Sequence, residues 1–425
     1  MPLSAPLHWA QQKFDWAQQK STGLNKNPVG PTRIQPPKAP PMTTPPQKST
    51  GFSLKDQLFN EDRVQYLASC FSAADPSFDA SGFVAATMFR LQPLGLKERI
   101  VHIASTLENY LAADYKVAAK QMVQALPPPL DPTKRDDDFG DFIFAPLGEY
   151  VVRNGLEKRH LALSLRTLKA ITQRFSMEDA IRAFLNTHPS ATLSTLEKWS
   201  TDRNYHVRRL VSEGTRPRLP WSGRLSLDTA TAIPLLNTLH TDPTRYVTRS
   251  VSNHLNDIAK THPDLVLDTL KQWRQLAQQD PSELQWMCKH ALRTLVKQGH
   301  RGALALLGFQ PNPKVTVSDF RIHTAEVRPG QTIEFSFEVS GLQNEPLLID
   351  YVIDFVKANG TRSPKVHKLK QLRVRKGETI TIKKRHPLRD GATTYTLYPG
   401  VHHVTLQING NPFGTESFQL LQRNF

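Results

Sequence analysis

One stretch of the sequence recurs forty residues downstream, and this internal repeat limits the possible folds more than any other feature. The segment TDRNYHVRRLVSEG at 201–214 aligns with TDPTRYVTRSVSNH at 241–254. A weaker third copy, ELQWMCKHALRTL at 283–295, follows at about the same spacing. Such a period is typical of HEAT-type helix pairs, which stack because one pair cannot cover its own apolar face. The repeat therefore predicts an α-α superhelical solenoid with a concave surface.

Equivalent positions of the repeat carry residues of the same kind. Asp202 and Asp242 precede the second helix of their copies, where we expect them to act as N-caps. Arg209 and Arg249 then recur on one helix face, with Lys289 in the third copy. A recurring arginine suits a track for phosphates, although many solenoids bind proteins instead.

The helical pattern begins near residue 56 and ends near 308. Leu58, Val64, Leu67 and Phe71 follow the three-to-four spacing of an amphipathic helix. After Gly308, short runs such as TIEFSFEVSG and HHVTLQING alternate apolar and polar residues between glycine-containing turns. Seven or eight strands of this kind predict an immunoglobulin-like sandwich. We therefore expect a mainly α chain, with a HEAT-like α-α superhelical solenoid followed by a small all-β immunoglobulin-like sandwich.

We expect three segments in the chain. Residues 1–55 are rich in Pro, Gln, Lys and Thr, and bury too little apolar surface to fold, which predicts a disordered basic arm. The arm either adds non-specific phosphate affinity or is a solvated tail. Residues 56–310 form the repeat domain, and 313–425 form the sandwich. The basic run from Lys365 to Arg385 in the sandwich either meets DNA or is the charged face of an edge strand.

The charge of the chain favours a polyanionic partner. The formal net charge is +16 and the pI about 9.8, which points to DNA, RNA or an anionic membrane surface. The two cysteines, Cys70 and Cys288, form neither a disulfide framework nor a CxxC metal motif and fit a reducing cytosol. No membrane span or signal-peptide core is present, and the histidines show no HExxH spacing. We expect a cytoplasmic protein without metal or cofactor.

Four sequence blocks carry a resemblance to a known family. The segment WSTDRNYHVRRLVSEGTRPRLPW at 199–221 resembles the signature of the AlkC-type DNA alkylation repair glycosylases, which are related to AlkD. The segments at 242–264, 144–151 (FAPLGEYV) and 175–184 (FSMEDAIRAF) resemble further blocks of that family. The resemblance covers roughly 60–310 and extends to the sandwich, which some members carry.

The resemblance implies a hydrolase that acts on DNA. Its substrate would be the N-glycosidic bond of a cationic alkylated base such as N3-methyladenine in double-stranded DNA, cut without full base flipping. We expect a monomeric bacterial protein that associates with the nucleoid through DNA. Two alternatives are a non-catalytic DNA-binding or damage-sensing scaffold and a protein-interaction solenoid. The arginine-rich stretch at 203–224 argues against the second of these.

Position by position, Glu178, Glu213 and Trp221 fall where the family has its active-site acids and tryptophan. Asp257 is the next candidate. The leaving group is already positively charged, so catalysis needs carboxylates that stabilise an oxocarbenium ion and position water. Trp221 would contact the cationic base through a cation–π interaction of about 0.5–2 kcal/mol. The expected phosphate contacts are arginines: Arg208, Arg209, Arg216, Arg218 and Arg249.

Each of these residues also has a structural explanation. Glu178 suits the first turn of a helix, Glu213 a salt bridge with a neighbouring arginine, and Trp221 core packing. Asp257 would be explained by a bond to Arg249. We further expect Trp199, Trp273 and Trp286 in the core and the pair His402–His403 to be exposed.

Overall fold

A computed structural model of the chain describes residues 53–131, 133, 139–220, 222–391 and 396–423. These residues form helices from Leu54 to Leu306 and strands from Val315 to Leu420. The mainly α fold with a C-terminal β-sheet domain is therefore confirmed. Residues 1–52 of the predicted arm lie outside the described residues. The first helix begins at Leu54, within the last three residues of the arm. None of the described helices is long and apolar enough to cross a membrane.

The helices are short, with lengths between 5 and 14 residues. In chain order they are α1 Leu54–Leu58, α2 Glu61–Ala74, α3 Ala80–Leu91, α4 Leu96–Leu107, α5 Tyr115–Gln124, α6 Ala145–Gly155, α7 Leu161–Thr172, α8 Ala180–Thr187, α9 Pro189–Trp199, α10 Tyr205–Gly214, α11 Ile233–Leu239, α12 Arg245–Ile258, α13 Pro263–Leu276, α14 Pro281–Ala291, α15 Arg293–Lys297 and α16 Arg301–Leu306. Three 3₁₀ turns, Phe142–Phe144, Lys158–His160 and Thr229–Ala232, precede α6, α7 and α11.

The chain divides into two compact units. The first contains the described residues up to Gly214 together with Arg218–Leu227, and the second contains Thr215–Pro217 and the residues from Asp228 onward. The second unit thus includes both helices and strands. The division predicted from sequence, with a boundary between 310 and 313, stays a prediction.

The spacing of Leu58, Val64, Leu67 and Phe71 predicts one helix, but in the first unit these residues lie on two helices. The side chain of Asn60 accepts a hydrogen bond from the backbone N–H of Arg63 and so caps the start of α2. Val64 and Phe71 are buried on α2, whereas Leu58 ends α1.

The repeat sets the register of the buried face of its second helices, but its aspartates do not all cap helices. Val207, Val247 and Met287 hold equivalent positions and are all fully buried. Asp202 and Asp242, expected as N-caps, instead accept from the backbone N–H two residues later, so α10 and α12 start three residues after them. This is an Asx turn, which offers the backbone a local alternative to the helix.

The strands of the second unit form two sheets. They are β1 Val315–Ile322, β2 Glu326–Val327, β3 Thr332–Gly341, β4 Glu345–Val356, β5 Arg362–Val374, β6 Thr379–Pro387, β7 Gly400–Ile408 and β8 Asn411–Leu420. One sheet has the order β1-β3-β6 and the other β2-β8-β7-β4-β5. One core lies between them, with inward residues from both sheets, among them Phe335, Phe337, Tyr351 and Leu406. The basic strands β5 and β6 are sheet edges.

Two expectations about aromatic side chains are wrong. His402 is fully buried because it shares the inward face of β7 with Val404 and Leu406. It stacks on Phe418, and burial lowers its pKa. Trp286 lies only partly buried on α14, whereas Trp199 and Trp273 are in the core as expected.

Within the second unit, the hairpin between β7 and β8 packs closely on the end of α15. A Cβ added to Gly410 would lie 2.6 Å from the Cα of Gly299. The side chain of Asn409 donates to the carbonyl of Gln310, and that of Asn411 to the carbonyl of Pro311. The sandwich is therefore joined to the last helices by direct backbone and side-chain contacts.

Candidate active site

In the first unit, helix α10 carries an arginine between two glutamates. Nη1 of Arg209 donates to the carboxylate of Glu178 at 2.7 Å and to the hydroxyl of Ser176 at 2.6 Å. Ser176 in turn donates to Glu178. The Arg209 guanidinium also lies 5.7 Å from the ring centroid of Phe139. Glu178 precedes α8, which begins at Ala180, so a role in the first turn of a helix does not explain it.

Glu213 belongs to the same cluster through a longer contact with Arg209. Its Oε1 lies 3.5 Å from Nη2 of Arg209, one helical turn earlier on α10. Charge-assisted hydrogen bonds are usually near 2.8 Å, so this contact is the weaker of the two. Arg209 and Glu213 are each only 4% exposed. The expectation that Glu213 pairs with a neighbouring arginine therefore holds, and a pair so deeply buried is costly unless both charges are satisfied.

The end of α10 and the segment after it are fixed by a second buried arginine. Arg182 on α8 donates to the carbonyl of Gly214 at 3.2 Å and to that of Gly223 at 3.0 Å. Gly214 allows this close approach, since a Cβ there would lie 2.4 Å from Cγ2 of Ile181. Trp221 lies outside the described residues, although both arms of its segment are anchored to α8.

In the second unit, Asp257 is paired with two cations. Arg216 approaches Oδ2 of Asp257 with Nε at 3.0 Å and Nη2 at 2.9 Å, while Lys260 donates to Oδ1 at 2.9 Å. Asp257 lies in the last turn of α12, where the helix dipole disfavours a carboxylate. Both Arg216 and Asp257 are buried, so the two cations offset that unfavourable position.

The arginines predicted to contact phosphates occupy different environments. Arg209 and Arg216 are buried in the ion pairs described above. Arg208 donates to the carbonyls of Asp202 and Arg203, which precede the first residue of α10. Arg218 is exposed and Arg249 partly exposed. Phosphate contact therefore stays a prediction for all five; Arg218 is the most exposed of them, and Arg208 and Arg249 are both partly exposed.

Sequence reasoning missed a polar group on α12 and α14 of the second unit. The guanidinium of Arg245 lies 3.9 Å from the ring centroid of Trp286, and Trp286 stacks on His290. Arg293 and His290 both bond to the side-chain oxygen of Asn253. The helical period could have revealed that Trp286 is not in the core. The buried positions of α14 are Leu284, Met287, Cys288 and Ala291, and residue 286 lies off that face.

No group of three or more His, Cys, Asp or Glu residues that suits a metal ion occurs among residues 53–131, 133, 139–220, 222–391 and 396–423.

Comparison with known proteins finds family matches for both the helical and the β-sheet parts of the chain. Residues 169–295 match the family model described as DNA alkylation repair enzyme, and residues 316–422 match the C-terminal Ig-like domain of the uncharacterised protein YhaZ. The uncharacterized protein YhaZ of Bacillus subtilis (strain 168) is 33% identical over 368 residues, which cover 86% of this chain and 98% of that protein.

A solved structure gives the same relationship. The alkylpurine DNA glycosylase AlkC of Pseudomonas fluorescens, bound to DNA containing an abasic site analog, is 34% identical. The alignment covers 87% of this chain and 99% of that chain, with a TM-score of 0.78. Glu178, Glu213 and Asp257 all lie within the matched residues 169–295.

Proposed function

The chain belongs to the DNA alkylation repair enzyme family together with YhaZ and AlkC, and from this premise we propose that it is a DNA glycosylase. It hydrolyses the N-glycosidic bond of cationic alkylated bases such as N3-methyladenine in double-stranded DNA. The observation that carries the proposal is the buried cluster of Glu178, Arg209 and Glu213, which holds two carboxylates on one guanidinium.

The chemistry of the reaction needs this kind of cluster. A base that already carries a positive charge leaves without being protonated, so no general acid is required. As the bond breaks, positive charge develops on the deoxyribose, and a preorganised carboxylate stabilises it without reorganising. A second requirement is a water molecule placed to attack the sugar.

We assign different tasks to the two glutamates. Glu178 accepts from Arg209 and Ser176 within hydrogen-bond range, so we assign it to holding the cluster in place. Glu213 contacts the same guanidinium from one helical turn along α10, and we assign it to the sugar cation or the attacking water. Trp221 would pack against the cationic base, and Asp257 is the further candidate acid.

Other parts of the proposal rest on the resemblance to AlkC. On this ground we propose that hydrolysis proceeds without full base flipping and that the helices have a HEAT-like arrangement. We also propose that the protein acts as a monomer, in the cytoplasm and on the nucleoid. Arg218, Arg208 and Arg249 are the predicted phosphate contacts whose side chains are exposed or partly exposed.

Release of methylated bases from duplex DNA tests the proposal. We expect the unaltered chain to release N3-methyladenine, and Glu213→Gln to reduce release by at least a hundredfold while duplex affinity stays within a factor of two. Trp221→Ala should reduce release with a smaller effect. Glu157→Gln, the same change at an exposed glutamate paired with Arg159, is the matched control and should leave release unchanged.

Two results would contradict the proposal. If the unaltered chain binds duplex DNA but releases no base from any alkylated substrate, the chain is a non-catalytic DNA-binding scaffold. If Glu213→Gln retains full activity, the assignment of that glutamate is wrong.

A further inference from the structure

An aromatic ring lies over the guanidinium at the centre of the candidate active site. The guanidinium carbon of Arg209 is 5.7 Å from the ring centroid of Phe139. Arg209 is only 4% exposed, whereas Phe139 is partly exposed, so the ring is the more accessible of the two groups. The reaction proposed above gives this ring no task, although it contacts the residue that joins the two glutamates.

The contacts of Arg209 use two different parts of its guanidinium. The N–H groups lie in the plane of the group, where Nη1 donates to Glu178 and Ser176 and Nη2 lies 3.5 Å from Glu213. The flat face of a guanidinium carries no donor, and aromatic rings pack against it. Phe139 therefore contacts a part of the group that the glutamates do not use, and its contact adds to theirs.

The backbone after Phe139 is bonded to the segment that carries the first acid of the site. Gly140 forms an antiparallel bridge with Phe175. The backbone N–H of Asp141 donates to the carbonyl of Arg174 at 2.9 Å. The serine and the glutamate that accept from the guanidinium follow within three residues of Phe175. One short stretch of chain thus sets the positions of both the ring and the carboxylate.

The close approach of these two segments depends on the glycine next to Phe139. Gly140 has a φ of +75°, a conformation that favours glycine. A Cβ there would lie 1.7 Å from the carbonyl oxygen of Arg174, which also accepts the backbone hydrogen bond described above. Beyond the bridge, Phe142 packs on Phe175 with ring centroids 4.5 Å apart. The backbone that carries Phe139 is therefore held on one side by fixed contacts.

We propose that Phe139 is a positioning residue of the candidate active site, acting through Arg209 to hold its two glutamates in place. This role rests on the proposed function, because it serves the glycosylase reaction. A guanidinium packed on a ring cannot turn out of the plane in which the carboxylates meet it. The ring also excludes water from that side, which strengthens the attraction between the buried charges. Carboxylates fixed in this way stabilise the sugar cation without reorganising.

The π face of the ring distinguishes this role from simple packing. Leucine is apolar and fills much of the space of phenylalanine, but it has no π face to attract a cation. Tyrosine keeps the ring and its π face. A positioning role therefore predicts that Phe139→Leu impairs the reaction and that Phe139→Tyr does not, whereas a space-filling role predicts that leucine is tolerated.

Single-turnover release of N3-methyladenine from duplex DNA tests the role of the ring in the full chain. We expect Phe139→Leu to lower the rate at saturating DNA about tenfold, the size of a desolvated cation–π contact. The half-saturating duplex concentration should stay within a factor of two, because the ring does not bind DNA. Phe139→Tyr should keep the rate within a factor of two. Phe89→Leu, the same change at a phenylalanine that is 83% exposed on α3, is the matched control and should leave the rate unchanged.

Urea unfolding supplies a readout that does not depend on the reaction. If the ring packs on the guanidinium, Phe139→Leu lowers the urea midpoint of the unaltered chain more than that of Arg209→Met. Equal shifts in the two backgrounds overturn the contact. Equal base release by Phe139→Leu and the unaltered chain, or equal losses in Phe139→Leu and Phe139→Tyr, overturn the positioning role. A chain that releases no base refutes the proposed function, and the unfolding comparison still decides whether Phe139 holds Arg209.

Discussion

Arg209 donates a 2.7 Å hydrogen bond to the carboxylate of Glu178, and the two side chains are only 4% and 13% exposed. Removing one partner of a buried ion pair leaves an uncompensated charge, which costs about 3–5 kcal/mol. We expect Arg209→Met to lower the free energy of unfolding by about 3 kcal/mol on this ground. Adding Glu178→Gln should recover part of that loss. Denaturant unfolding measures both, and a double variant as unstable as the sum of the single ones would contradict the pairing.

A variant of Arg209 distinguishes between two roles for this residue, positioning the glutamates and contacting a phosphate. If Arg209 holds the glutamates in place, a charge-removing variant such as Arg209→Gln should reduce base release strongly while the salt dependence of duplex binding stays unchanged. If Arg209 contacts a phosphate, as its place in the repeat predicts, the slope against log[KCl] should fall by about 0.9. Anisotropy titrations and base release on the same preparation distinguish the two.

Arg182 should control the order of the segment that carries Trp221. Its guanidinium binds the carbonyls of Gly214 and Gly223, so Arg182→Met removes both of these contacts and leaves the bonds of Asn186 to Arg224 and Ser226 between α8 and that segment. We expect trypsin to cleave after Arg224 at least tenfold faster, and base release to fall. Arg166→Met, at an exposed arginine of α7, is the control. Equal cleavage rates in the two variants would show that the segment is held by other contacts.

The sequence predicted the broad fold because two periodicities are strong. Helical spacing runs to residue 308, and alternation follows it. The repeat also predicted a shared core position, since Val207, Val247 and Met287 are all buried. The alternation on β7 also indicates that His402 faces inward, because Val404 and Leu406 lie on the same face. We expected His402 to be exposed only because histidine is polar.

The candidate site was less accessible to sequence reasoning. A recurring arginine has the same pattern whether it contacts a ligand or a buried carboxylate, and Arg209 pairs with the carboxylate of Glu178. The partner of Asp257 is Arg216, forty-one residues away, a pairing that local spacing does not reveal. The roles of Glu178, Glu213, Trp221 and Asp257 stay predictions.

Two histidines in the sandwich should make it sensitive to acid. His386 shares a 2.7 Å hydrogen bond with the Tyr351 hydroxyl, and His367 stacks on the same ring. Burial lowers the pKa of each histidine to about 4, from an ordinary 6.5. The unfolded chain therefore binds more protons between these values, and stability present above pH 6.5 is lost as pH falls towards 4.

We expect His367→Phe to lose less stability than the unaltered chain over that range, by about 2 kcal/mol after allowing for partial exposure. Thermal or urea unfolding at pH 7 and pH 4.5 measures the difference. His323→Phe, at an exposed histidine, is the control. Parallel curves for the unaltered chain and His367→Phe would contradict the prediction.

Asp350 acts in the opposite direction. Burial raises its pKa from 3.8 to about 6, partly offset by Lys368 and Lys297. The folded chain thus binds the extra proton between these values, and stability falls as pH rises from 3.8 to 6. Asp350→Asn should be more stable than the unaltered chain by about 2 kcal/mol at pH 8, with the difference vanishing near pH 4. Asp319→Asn, at an exposed aspartate, should show no such trend, and a constant difference at all pH values would exclude the ionisation as its cause.

The contact between Gly299 and Gly410 makes the join between the last helices and the sandwich intolerant of side chains. Gly410 has a φ of +81°, and a Cβ there would lie 2.6 Å from the Cα of Gly299. Gly410→Ala therefore carries a conformational cost of about 1 kcal/mol and a backbone clash. Gly360→Ala provides the matched control, since its φ is +75° and no atom lies within 4 Å of the added carbon. Urea unfolding should show a clearly larger loss for Gly410→Ala, because only that variant forces two backbones apart. Equal losses would mean that the backbone conformation alone sets the cost, and that the hairpin moves away from α15 without penalty.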